Sequence, residues 1–147
     1  VLDSLYDGFL AAFMRRASRL RLAPLCSLSA AEKLSSQVHR ALEQGARLAM
    51  GSADNRGACF GPVVLVDIPE GADARREEFF GPVAQFYRVF SQEEAVAVAN
   101  DTPFGLGSYV FATDVAQARR VADALQTGLT YILALIHTAR CRRTERG

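Results

Sequence analysis

The chain is predicted to fold as an α/β protein, with a mainly parallel sheet and helices packed on it. Three observations carry that prediction. Four segments repeat apolar residues at helical spacing. Runs rich in β-branched and aromatic residues fill the gaps between them. The links are short, and strand, helix and strand in succession places neighbouring strands parallel.

The first helix is expected over residues 4–20, where Leu5, Phe9, Ala12, Phe13, Ala17 and Leu20 share a stripe and Arg15, Arg16 and Arg19 fall largely off it. The second opens at Ser29, with Glu32 three residues later, a pair in which each side chain satisfies an orphan backbone N–H. Leu34, Val38, Ala41 and Leu42 form its buried face, and Gly45 can end it in the left-handed conformation. Residues 47–50 make a short strand, and residues 62–68 and 83–90 are β-rich. Ser91 and Glu94 repeat the capping pair ahead of Ala95, Val98 and Ala99. Strands over residues 108–112 and 129–133 flank the last helix. Asp114 and Gln117 open it, Val115, Ala118, Val121, Ala122 and Leu125 are its buried side, and Gly128 stops it.

Half of the 147 residues are hydrophobic and 22% are charged, an ordinary balance for a globular domain. A chain of this length buries roughly 68–70% of its unfolded surface. No apolar run approaches the ~20 residues of a membrane span, and the N-terminus lacks the charged-then-apolar layout of a signal peptide. The net charge of +1 gives no reason to expect nucleic acid or a membrane as partner. Residues 140–147 carry four arginines against Glu145, a charge of +3, which reads as a solvated end. Lys33 is the only lysine beside sixteen arginines, a bias read as GC-rich coding without bearing on the fold. Cys26, Cys59 and Cys141 form no C-x-x-C and have no histidine at metal-ligand spacing. They read as reduced thiols of a cytoplasmic protein, with Cys59 buried and inert beside Phe60. His39 is expected at the surface, and His137 has no evident partner.

The chemistry concentrates in Glu77-Glu78-Phe79-Phe80-Gly81-Pro82. Glycine lets a backbone approach something closely, and proline fixes the chain direction after it. A carboxylate has acceptors for both hydroxyls of a diol, and an adjacent ring offers a stacking face for a flat heterocycle. The same residue types also suit a plain loop, with solvated glutamates and core phenylalanines. Asn100 and Asp101 read as turn formers.

Taken with Val83-Ala84-Gln85-Phe86-Tyr87-Arg88-Val89 and Asn100-Asp101-Thr102-Pro103-Phe104-Gly105-Leu106-Gly107, this run resembles the aldehyde dehydrogenase superfamily, in the part of its catalytic domain that comes after the nucleophile. Leu2-Asp3-Ser4-Leu5-Tyr6-Asp7-Gly8-Phe9 is similar to the family's segment after that nucleophile. Phe60-Gly61-Pro62-Val63-Val64-Leu65-Val66-Asp67-Ile68 resembles the strand before the motif loop. The resemblance implies that Glu78 hydrogen-bonds the ribose hydroxyls on the nicotinamide side of the cofactor and that Phe80 packs near the nicotinamide. Glu77, Phe79, Gly81 and Pro82 would mainly shape the loop. It also implies the reaction of the parent: an aldehyde is oxidised to a carboxylate with NAD or NADP as hydride acceptor, through a cysteine thiolate and a glutamate base.

Three departures qualify the match. The family's cysteine, base and dinucleotide-binding domain would lie before Val1. The connection over residues 20–28 is shorter than usual in the family. After Ile132, Leu133-Ala134-Leu135-Ile136-His137 and an arginine-rich end stand where the family continues with an asparagine and a Pro-Phe-Gly-Gly-type loop. Residues 1–132 are therefore expected to be an incomplete catalytic domain and residues 133–147 a divergent basic tail. The expectation is a fragment that binds cofactor poorly, self-associates, and is inactive by itself, with no catalytic or metal-ligating residue of its own. The rival from another class is a non-enzymatic remnant or subunit-pairing domain.

Overall fold

The computed structural model describes residues 1–134, which divide into two compact units, Val1–Phe104 and the part from Gly105 onward. The first unit contains helix α1 (Asp3–Ala17), helix α2 (Leu28–Glu43) and strands β1 (Arg47–Met50), β2 (Val63–Val66) and β3 (Val83–Gln85). A single 3-10 turn (Asp73–Arg75) and helix α3 (Gln92–Asn100) complete it. The strand order is β1-β2-β3, with β1 antiparallel and β3 parallel to β2. The second unit runs β4 (Ser108–Ala112), α4 (Val115–Ala124), β5 (Thr130–Ala134), with the two strands parallel and in register from Ser108 opposite Thr130. Both are α/β arrangements, and parallel pairing dominates among the described strands.

β2 explains the first unit's layering. Its four residues, Val63-Val64-Leu65-Val66, are all buried, which marks a central strand covered on both faces. Alternation sends Val63 and Leu65 to one face, where they pack with Leu34, Val38 and Ala41 of α2 and with Phe60 and Ile68. Val64 and Val66 face the other way, against Tyr6 and Phe86, with Leu10, Phe13 and Met14 of α1 closing over them.

The covered face of α1 differs from the expected stripe. Tyr6 and Ala17 are buried and Leu10, Phe13 and Met14 half-buried, whereas Leu5, Phe9 and Leu20 are exposed. The reason is registry. Periodicity marks an apolar stripe wider than the surface available, and Val64, Val66 and Phe86 select its edge. Phe13 meets the Phe86 ring edge-on at 5.0 Å, and Arg88 lies 4.0 Å over the Tyr6 ring, so that Tyr6 packs as an aromatic under a cation. The helix also stops at Ala17, three residues short of Leu20.

Ser27, not Ser29, caps α2. Ser27 has extended backbone and accepts from the Ala30 N–H at 3.1 Å, while Ser29 already lies in the first turn and shares a hydroxyl contact with Ser27 at 2.9 Å. A cap requires a backbone outside the helical region, and with serines two apart only that geometry tells them apart. The other end agrees with expectation, with Gly45 at φ +103° just past the helix. Ser91 caps α3 through the Glu94 N–H at 3.0 Å, although the Glu94 carboxylate reaches back to the N–H of Phe90. Asp114 caps α4 through the Ala116 N–H. α4 ends at Ala124, before Gly128, whose N–H instead bonds the carbonyl of Gly105.

β1 and β4 occupy their expected spans; β2, β3 and β5 differ at their ends. β3 stops at Gln85, but the chain continues to Val89, where it forms a parallel bridge to Leu2. No helix among the described residues is long and apolar enough to cross a membrane. His137 and Cys141 lie outside the described residues.

Candidate functional site

The run at residues 77–82 is the loop between the 3-10 turn and β3. Its residues alternate in role. Glu77 turns toward α2, where Arg40 donates one Nη2 to both carboxylate oxygens at 2.5 and 2.6 Å and Gln37 donates Nε2 at 3.1 Å. The same Gln37 nitrogen reaches the Glu78 carbonyl at 3.1 Å. The pairing with Glu77, more than any other contact, raises the Arg40 pKa above its ordinary value. Phe79 packs against the cluster beneath α2. Gly81 meets the same helix: a Cβ there would stand 2.4 Å from Leu34 Cδ2. The close approach that glycine permits is thus to the helix rather than to a ligand.

Glu78 and Phe80 stand apart from that packing. The Glu78 carboxylate has no hydrogen-bond or ion-pair partner among the described residues. The Phe80 ring is 80% exposed, unlike the core phenylalanine that a plain loop would hold at this position. Both line an open depression of about 610 Å3 whose walls include Lys33, Gln37, Arg40 and Phe104. Glutamates adjacent in sequence are therefore divided by the fold. One is spent on holding the loop, and the other is presented with both oxygens open.

Lys33 is the residue that composition conceals. Its scarcity in the sequence reads as a coding bias, yet it stands on the exposed side of α2 at the rim of the same depression as Glu78 and Phe80. The available signal was its position one turn before Gln37, on the helix that carries the loop, and only the contact between helix and loop gives that spacing meaning.

The remaining candidates stand elsewhere. Cys59 is exposed, not buried: Arg56 and Cys59 close an isolated antiparallel bridge in a surface turn, leaving Phe60 to enter the core. Cys26 is exposed as well, and neither thiol lines the depression. His39 sits at the surface against Asp54 at 3.0 Å. Asp101 comes just after the end of α3 and pairs with Arg76. Among the described residues no group of three His, Cys, Asp or Glu could hold a metal ion. A second cavity of about 470 Å3 is lined by Phe86, Tyr87 and Val89 among others. Burial there raises the Tyr87 pKa.

The loop thus clamps one carboxylate and leaves the next exposed beside an aromatic ring. Comparison with known proteins shows the family. The profile of the aldehyde dehydrogenase family matches residues 1–140, and the chain belongs to that family. It is similar to the NADP-dependent succinate-semialdehyde dehydrogenase of Deinococcus radiodurans, with 40% identity over 90% of this chain, and to the glutarate-semialdehyde dehydrogenase of Pseudomonas putida, with 34% over 90%. Among solved structures, succinic semialdehyde dehydrogenase from Streptococcus pyogenes with NADP+ superposes at a TM-score of 0.84, 31% identical over 91% of this chain and 32% of that one. Betaine aldehyde dehydrogenase from Staphylococcus aureus with NAD+ superposes at 0.83, 29% identical over 89% and 30%. The chain spans about 30% of the length of the curated relatives it matches.

Proposed function

We propose that this chain supplies the cofactor-facing loop of an NAD(P)-dependent aldehyde dehydrogenase, with Glu78 and Phe80 receiving the nicotinamide end of the dinucleotide. The observation that carries the reading is the division of Glu77-Glu78 and Phe79-Phe80 into a structural half and a presented half. A large apolar ring left in water and a carboxylate left without a partner are both unexplained by the packing of the loop itself. Both fit a ligand that offers a ribose diol and a flat heterocycle. Glu78 accepts from the diol, Phe80 covers one side of the ring, and Lys33 contributes a donor from the helix beneath. The nicotinamide ring, when bound, supplies the hydride acceptor for aldehyde oxidation. What this chain's residues do toward that end is orientation: a ring held at one angle to the aldehyde carbon reacts, and a misplaced one does not.

The substrate class of this reading is an aldehyde. The depression holds no thiol and no unpaired base besides Glu78 among the described residues, so the thiolate attack and water activation are assigned to parts of a longer dehydrogenase. By itself the chain is proposed to bind cofactor weakly and to be inactive. Support comes from its 30% share of its relatives' length, from Cys26 and Cys59, neither of which lines the depression, and from the sequence, which lacks the G-x-G-x-x-G that opens a dinucleotide-binding helix. A pairing role is the second reading, favoured by the exposed rings of Tyr109, Phe111 and Tyr131 on β4 and β5.

The test is a titration of the 15N-labelled chain with nicotinamide mononucleotide, monitored by amide shifts. Shifts confined to Lys33, residues 77–81 and Phe104, reduced severalfold by Glu78→Gln, are expected. Saturable shifts centred elsewhere, or none at millimolar ligand, reject the assignment of Glu78 and Phe80.

A further inference from the structure

We propose that Gln37 and Arg40 are positioning residues for the cofactor loop: acting through Glu77, they select which of two adjacent glutamates is presented to the ligand. The inference rests on the assignment of Glu78 and Phe80 to the cofactor. Glu77 and Glu78 are chemically identical, and the loop that carries them contains a glycine, so chemistry and local backbone stiffness leave the choice open. The helix makes it. Arg40 takes both oxygens of Glu77 with one nitrogen. Gln37, only 8% exposed, directs its amide N–H2 to the Glu77 carboxylate and to the Glu78 carbonyl. Were Glu78 to turn inward in its place, the backbone carbonyl that Gln37 holds would turn away, and the largely buried Gln37 amide would lose one of its two partners.

The clamp is itself braced. Arg40 Nε pairs with Asp73 at 3.2 Å. Asp73 exchanges two bonds with Gln44, accepting from Nε2 at 3.0 Å and donating its N–H to Oε1 at 2.9 Å. Gln37 and Arg40 of α2 and Gln44 at its C-cap fall at intervals of three and four, and so on one side. That face therefore grips the chain at Asp73, Glu77 and Glu78, while Leu34 fills the space against Gly81. A loop fixed at both ends in this way loses little freedom when a ligand arrives, which strengthens binding without adding a contact to the ligand.

The experiment uses the full chain, 15N-labelled, as wild type, Arg40→Met, Gln37→Leu, Arg40→Lys and the exchange Arg40→Glu with Glu77→Arg. Backbone relaxation and nicotinamide mononucleotide titration are recorded for each. In Arg40→Met the order parameters of Glu78, Phe79 and Phe80 should fall from about 0.85 toward 0.6 or less, while those of Val64 and Leu65 stay at their wild-type values. The apparent Kd for the mononucleotide should rise by about three- to tenfold, and the exchange should recover both. Arg40→Lys, which retains the charge but lacks the planar fork, should fall between. Unchanged order parameters at 78–80 in both Arg40→Met and Gln37→Leu overturn the proposal, as does a loosened loop with an unaltered Kd. A wild-type Kd unmoved by Glu78→Gln overturns the functional reading beneath it, and with it the positioning role. That failure is recognised by the Glu78 variant, independently of any Arg40 variant.

Discussion

At the scale of single residues the loop offers two neighbouring pairs with opposite expected behaviour. Glu77→Gln removes the charge that Arg40 and Gln37 share, so the melting temperature should drop. Glu78→Gln alters a carboxylate without a partner among the described residues, and stability should change by no more than about 0.5 kcal/mol, as for most surface changes. Phe79→Ala and Phe80→Ala should divide in the same way. Phe79 packs against the cluster below α2, so its truncation should cost about 3 kcal/mol or somewhat less, because the ring is only half-buried. Phe80, with its ring in water, should cost almost nothing. Urea melts of the four variants check this. A large destabilisation by Phe80→Ala would give that ring a structural role and weaken its assignment to a ligand. Gly81→Ala belongs here too: the added methyl must displace the buried Leu34 side chain, at about 1–3 kcal/mol.

At the scale of elements, β2 and the α2 cap make the sharpest contrast. Leu65 is fully buried in the central strand, and Leu65→Ala should cost about 2–5 kcal/mol through lost contacts and the residual cavity. Ser27→Ala should cost about 1 kcal/mol by freeing the Ala30 N–H, and Ser29→Ala much less. Reversal of the two serine values in denaturant titrations would show that the cap lies at Ser29. The second unit poses a different question. α4 packs on both strands of its sheet, and Ser108, Thr127 and Thr130 join their hydroxyls at 2.8–3.0 Å. The rings of Tyr109 and Tyr131, stacked at 5.0 Å and 15°, are exposed with Phe111 and Leu133. Parallel sheets are ordinarily covered on both faces, so this face is the element least complete by itself.

At the scale of the whole molecule, exposed aromatic and aliphatic side chains set the solution behaviour. Leu5 and Phe9 on α1 are exposed in the first unit, and the rings of β4 and β5 are exposed in the second. Apolar surface of this kind promotes association. Sedimentation velocity should show concentration-dependent oligomers, and Tyr109→Ser with Tyr131→Ser should shift them toward monomer. A monodisperse monomer at high concentration would show that these faces are tolerated in water. Incubation with NADP+ and succinic semialdehyde should yield no NADPH above background, because Cys26 and Cys59 lie outside the depression. Turnover abolished by Cys26→Ser or Cys59→Ser would make one of these exposed thiols a nucleophile and overturn the expectation.

The sequence by itself determined the features that local periodicity and short motifs encode. These are the class of fold, the four helices, the spans of β1 and β4, the stop at Gly45 and the caps at Ser91 and Asp114. The family belongs with them, since Glu77-Glu78-Phe79-Phe80-Gly81-Pro82 is carried by contiguous residues. Tertiary structure decided every choice between near-equals. Leu5 and Phe9 lost their place in the core to Tyr6, Leu10 and Met14, because Val64, Val66 and Phe86 cover only one edge of a wide stripe. Cys59 came to the surface because a tight bridge with Arg56 turns it outward while Phe60 goes in. Lys33 joined the candidate site, and Glu77 parted from Glu78, because α2 lies against a loop some forty residues further along the chain. Such contacts leave no local signature. They arise only when distant segments share a surface, and that surface, rather than residue type, assigns identical side chains to different work.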